Sequence, residues 1–223
     1  MSFWRRTAHG SLCVLFFVVS VVVQLAAQMP GLPVLQTAFA SPGVHVAVNV
    51  GYSKDASTFA GAAAWAPSSA RFQLSAGAGS LNPEGDLDNA IVWGARATVP
   101  VLRVRADAVG IAVFAGAGGG RMGDATQLFV PAGASLSYRR ALGVRRGISV
   151  YLAPFYLWSR ASETGTSRSA GLARFSAGVD LAITTSLGVT VGYEGGAKAK
   201  SGDPGPAAGT FGAGVSYALS RPR

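Results

Sequence analysis

Charge is scarce in this sequence. Only 13% of its 223 residues are Asp, Glu, Lys or Arg, against about a quarter in an ordinary water-soluble domain. Cysteine is scarcer still: Cys13 stands alone, which excludes a disulfide framework and a thiolate metal site. Leu12, directly before it, is too large for a lipoprotein box. After residue 28 no unbroken apolar stretch approaches the roughly 18 residues that a membrane-spanning helix needs. What the chain does have is 49% hydrophobic residues and 30 glycines, with Ala, Val and Gly in short alternating runs. A chain this poor in charge, without a helix long enough to cross lipid, can meet lipid only as a closed sheet.

The formal charge is +9, a value that raises nucleic acid as a partner. The basic residues argue against it. They fall mainly in short connections between apolar runs and form no patch interleaved with aromatics.

Residues 1–40 read as an export signal. Arg5 and Arg6 make a positive n-region, Leu12 to Ala27 an apolar h-region, and Ala38-Phe39-Ala40 before Ser41 is the small-x-small pattern of a signal peptidase site. Pro30 and Pro33 lie in a long stretch before that site. The alternative is an uncleaved anchor, since the apolar run approaches spanning length. Residues 41–223 then form one domain, because no break in composition marks a second.

From residue 43 onward the dominant signal has period two. Val44, Val46, Val48, Val50 and Tyr52 alternate with His45, Ala47, Asn49, Gly51 and Ser53, placing one set on each face of a strand. Ile91 to Val99 and Phe211 to Leu219 repeat the pattern. Helical spacing fits none of these runs, and the glycine load would weaken a helix. Ten strands are expected, over 43–53, 58–66, 70–80, 90–101, 108–118, 127–139, 147–159, 172–184, 188–197 and 208–219. Most reach the ~9–11 residues with which a tilted strand crosses a bilayer. Longer connections rich in Gly, Asp, Ser and Pro at 81–89, 119–126, 160–171 and 198–207 alternate with tighter ones, as in a meander with outer loops and inner turns. The first outer connection, 54–57, is short. The more polar face is mostly Gly, Ala, Ser and Thr, which suits an enclosed interior better than open water. The apolar face carries aromatics towards both rims: Tyr52, Trp93, Trp158, Tyr193 and Phe211 at one, Phe72, Tyr138 and Tyr217 at the other.

The Ala-Phe-Ala signal end, the repeated alternation and the C-terminal Phe211-to-Leu219 strand resemble those of the small bacterial outer-membrane β-barrels. That group includes the OmpA/OmpX-like eight-stranded barrels, their ten-stranded relatives and porin-like domains. The resemblance covers residues 41–223 and is one of pattern. It implies an all-β fold: a closed antiparallel up-and-down transmembrane β-barrel of ten strands, eight being the alternative count. It also implies a place in the outer membrane, with lipid, lipopolysaccharide and the barrel-assembly machinery as partners. Family members commonly end on an aromatic residue, whereas this chain runs on through Ser220, Arg221, Pro222 and Arg223.

Chemistry-bearing residues are few. His45 is the one histidine after the signal, on the polar face near the inner end of its strand. Some ten-stranded barrels are proteases that use acidic pairs and a histidine near the outer rim, but no acidic pair accompanies His45. No enzyme activity and no cofactor are expected. Arg71, Arg96, Arg174, Asp180 and Glu194 fall on the expected interior face. They either line a narrow pore and set its ion preference or form a salt-bridged plug, since an unpartnered interior charge is costly. Glu84, Asp86, Asp88 and Asn89 cluster oxygen atoms that calcium uses, without the spacing of a known calcium loop. Gly116, Gly118, Gly119 and Gly120 lack the Lys-Ser/Thr of a phosphate loop and read as a flexible loop tip. Arg139, Arg140, Arg145 and Arg146 bracket an inner turn, and Arg103 and Arg105 another. They either meet lipid headgroups or phosphate there or keep the turns solvated. Two functions follow: a structural barrel or passive narrow pore, and a closed barrel whose outer loops bind a partner or lipopolysaccharide. A secreted or anchored soluble β-protein is the remote third.

Overall fold

In a computed structural model the chain is described over residues 42–54, 56–83, 89–104, 108–122, 125–143, 146–163, 165–200, 204–206 and 209–219. The proposed export signal and the acidic residues Glu84, Asp86 and Asp88 lie outside the described residues, as do Arg105 and Arg145. Ten strands follow one another: β1 (Gly43–Ser53), β2 (Ala56–Ala66), β3 (Gln73–Pro83), β4 (Ala90–Val104), β5 (Val109–Met122), β6 (Ala125–Ala141), β7 (Gly147–Glu163), β8 (Thr166–Ala182), β9 (Leu187–Gly196) and β10 (Thr210–Ala218). Each pairs antiparallel with its sequence neighbours, and β1 closes on β10. The seam runs from His45↔Ala218 to Ser53↔Thr210. Closure pairs the main-chain edges that an open sheet would leave bare. The ten-stranded count holds, and the barrel is closed, antiparallel and up-and-down.

Proline interrupts the ladders where its missing N–H requires it. The β4–β5 register shifts between Pro100 and Leu102. The β5–β6 pairing skips from Ala132 to Phe129 around Pro131, and the β6–β7 pairing skips from Phe155 to Leu152 around Pro154.

Two connections differ from the sequence expectation. Residues 119–126 and 160–171, read as long loops, are mostly strand: β5 meets β6 and β7 meets β8 through two-residue connections. Gly116 to Gly120 therefore belong to β5 and form no loop tip. At the outer end of β8, Thr166 to Ser169 are exposed on both faces, so the β7–β8 hairpin stands clear of the barrel as a ribbon. Pairing holds these Gly- and Ser-rich tips in the ladder although their composition is that of a loop. The inner turns are compact. Ala70 N–H donates to the Pro67 carbonyl at 2.8 Å, and Arg103 Nη2 donates to the carbonyl of Ala70, which has a φ of 47°, at 3.0 Å. In the turn after β8, the Thr184 hydroxyl accepts from the N–H groups of Ser186 and Leu187.

The two faces divide as period two requires. Val46, Val48, Val50 and Tyr52 point outward and are exposed, while Ala47 and Asn49 point inward and are buried. The outward face carries large apolar side chains around the wall, including Trp93, Val113, Leu152, Phe175, Val191 and Val215. By register, its charged positions on β5 to β7 are Arg121 and Arg160 at outer ends and Arg140 at an inner end. Rings gather at the rims. Tyr193 packs on Phe211 at 4.7 Å between centroids and on Phe175 at 6.0 Å, while Phe72, which just precedes β3, packs edge-on against Trp65 at 5.5 Å.

Candidate functional site: the lumen

The interior is asymmetric. From β10, β1, β2 and β3 the inward positions are mostly small, with Gly212, Gly214, Ala47, Gly51, Ala60, Ala62, Ala64, Gly77 and Gly79. From β5 to β8 they include large apolar side chains among further small ones: Phe114, Tyr151, Phe155, Leu157 and Leu172 are all buried, and Phe129 packs against the cluster. The expectation of an axis crowded by small residues therefore holds for one wall only. Large side chains from the other wall occupy the width that glycine and alanine leave. Leu157, Ala153, Ser159 and Ser176 have 0% exposure although all face the lumen. A water-filled channel would give such positions contact with solvent, so the lumen beside them is packed.

Four of the five charged residues expected inside do face the lumen, with different partners. Arg174 Nε and Glu194 Oε1 form an ion pair at 2.9 Å, their side chains 0% and 3% exposed. Arg174 Nη1 also donates to the Ala197 carbonyl at 2.9 Å. Arg96 lays its guanidinium over the Phe114 ring, 3.8 Å from the centroid, and Phe114 in turn contacts Phe155 at 6.2 Å. A desolvated stack of this kind contributes about 2 kcal/mol. The Nε and Nη2 atoms of Arg96 find no hydrogen-bond acceptor among the described residues. Asp180 Oδ1 accepts from the Thr190 hydroxyl at 2.6 Å nearer the inner end. Arg71 differs from its expected place: it lies in the turn between β2 and β3 and is exposed. The sequence pattern starts a strand at residue 70, whereas β3 begins at Gln73.

The outer connection between β9 and β10 folds onto this packed layer. Ala199 packs against the apolar cluster, and the Ser159 hydroxyl lies 2.7 Å from the Pro204 carbonyl and 3.3 Å from that of Ala170. A hydroxyl has one proton, and the shorter contact to Pro204 takes it. Gly196, at the start of the connection, has φ of 127°, and a Cβ there would sit 2.7 Å from both the Ala173 oxygen and the Arg174 Cα. Glycine is required at that position on both counts.

Towards the inner end the interior opens into a vestibule of about 450 Å³, lined by residues that include His45, Gln73, Arg139, Arg140, Arg146, Ser149, Asp180, Thr190 and Ser216. His45 is thus at the inner mouth, as its strand position indicates. The apolar plug residues Phe114, Tyr151, Phe155, Leu157 and Leu172 are the ones sequence reasoning missed. Their signal is counting parity along β7 from Ser149 and Ser159, which places Tyr151, Phe155 and Leu157 on the inward set.

Among solved structures, a KdgM porin matches the chain with a TM-score of 0.39 and 9% sequence identity, over 79% of this chain and 99% of that one. No protein-family model and no curated protein matches the sequence.

Proposed function

We propose that the chain is a porin-like barrel of the bacterial outer membrane whose lumen is held nearly shut by its own side chains. The observation that carries the membrane reading is the outward face. Valines and rings such as Val48 at 50% exposure and Ile91 at 77% surround a closed wall. An apolar surface of this extent is untenable in water and suits hydrocarbon. Main-chain closure satisfies the other demand of a bilayer, which offers backbone groups no water.

The restricted passage rests on the plug. Phe114 and Phe155 span the layer where Arg96 lies, and the connection after β9 covers it from the outer side. Solutes that pass do so along the small-residue wall. Recording in planar bilayers tests this against Phe114→Ala/Phe155→Ala. The wild type should be silent or conduct in small steps, and the variant in larger and more frequent ones. Large, long-lived steps from the wild type would overturn the plug in favour of an open passive pore.

The β7–β8 ribbon favours a second reading. It stands outside the barrel with Arg160 and Arg168 exposed, within the range of lipopolysaccharide phosphates. In that reading the barrel is a scaffold, the ribbon binds, and the alanine variant stays as silent as the wild type.

A further inference from the structure

The vestibule at the inner end has a chemistry that the pore reading does not use. Among its described lining residues, three guanidinium groups face a single carboxylate, an excess of two positive charges. Asp180 is already engaged by the Thr190 hydroxyl and lies within Coulombic reach of Arg139. The excess therefore sits on the Arg140 and Arg146 side: Arg146 lies in the β6–β7 turn, and Arg140, whose position on β6 is on the outward face, reaches the same mouth round the inner rim. Ser149 adds a hydroxyl that is buried within the vestibule lining and has no hydrogen-bond partner among the described residues. Among the described residues no Phe, Tyr or Trp lines the space, and these residues offer no stacking surface of the kind that neutral sugars and bases use. A cation would be repelled. What the set fits is a compact oxyanion that guanidinium forks grip through paired hydrogen bonds, and its size is in the range of small-ligand pockets.

We propose that the vestibule is a binding site for a phosphate group, held between Arg140, Arg146 and the Ser149 hydroxyl. The phosphate comes either from a soluble phosphate or from the headgroup of an anionic phospholipid beside the inner rim. The site does not depend on whether the lumen conducts.

The test uses the full chain folded in neutral detergent, titrated calorimetrically with inorganic phosphate at constant ionic strength. A second arm reconstitutes it in discs containing phosphatidylglycerol and reads retained lipid by native mass spectrometry. Heat-shifted migration on gels verifies that each variant is folded. Saturable phosphate binding that Arg140→Gln/Arg146→Gln weakens at least about tenfold supports the soluble source, that being the cost of two lost charge-assisted bonds. Retained phosphatidylglycerol that the same variant loses, without phosphate binding, supports the headgroup. Ser149→Ala changes no charge, so weaker binding in it marks a seated ligand rather than diffuse attraction. Lys54→Gln/Arg121→Gln removes equal charge at the opposite end and should change nothing. The proposal is overturned if neither ligand binds, or if the opposite-end variant weakens binding as much.

Discussion

Replacing Glu194 by Gln should destabilise the barrel far more than replacing Glu194 and Arg174 together by apolar residues. The ion pair spans 2.9 Å between side chains that water scarcely reaches. At an effective dielectric of about 20 its attraction is about 6 kcal/mol, set against the desolvation of both ions. Glutamine keeps the shape and one acceptor but leaves the Arg174 charge buried without its counter-charge. Removing one partner of such a pair costs about 3–5 kcal/mol, whereas swapping both for apolar residues is often neutral. Glu194→Gln should therefore lower the urea midpoint of the vesicle-embedded barrel by about 1 M or more, read by tryptophan fluorescence. Arg174→Met/Glu194→Leu should restore it to within about 1 kcal/mol of the wild type. Because Arg174 also holds the Ala197 carbonyl, trypsin should cut after Lys198 and Lys200 faster in the single variant. A single variant as stable as the wild type, or a double variant as unstable as the single, would refute the reasoning.

Val48→Arg, midway along the outward face of β1, should cost about 2–4 kcal/mol in a bilayer. In the same urea titration a loss within about 0.5 kcal/mol would mean that this face meets water. Gly196→Val should lower thermal stability and release the outer connection, because the left-handed φ and the approach of Arg174 both exclude a side chain. Protease protection of residues 197–200 identical to the wild type would contradict that.

Much of the fold was legible because a barrel writes itself in period two. Over 43–53 the alternation of valine with small or polar residues fixes the strand, its ends and its faces, and β1 occupies that span. The plug was not legible for a physical reason. From Ile148 to Trp158 both parities are apolar, with Val150, Leu152 and Tyr156 on one and Tyr151, Phe155 and Leu157 on the other. Alternation within the run carries no face information, so only the polar positions that flank it, Ser149 and Ser159, or the register to neighbouring strands resolve it. Arg174 and Glu194 could be placed inside from parity, yet their partnership depends on β8 lying beside β9 with Ser176 opposite Glu194. The hairpin tips were hidden in the opposite way. Gly, Ser and Arg around 160–171 have the composition of a loop, and only cross-strand pairing makes them strand.

Nine of the ten strand pairings join neighbours along the chain, and the tenth joins β1 to β10. Hairpins can zip locally, but that last contact requires loop closure over nearly the whole domain, the kind of step that slows folding. Until it forms, Val44 to Tyr52 and Phe211 to Tyr217 are two sticky ribbons competent to pair with any other chain. The barrel is therefore most vulnerable to clumping in the interval before its final zip, and a chaperone or assembly factor would do most good by shielding those two ribbons.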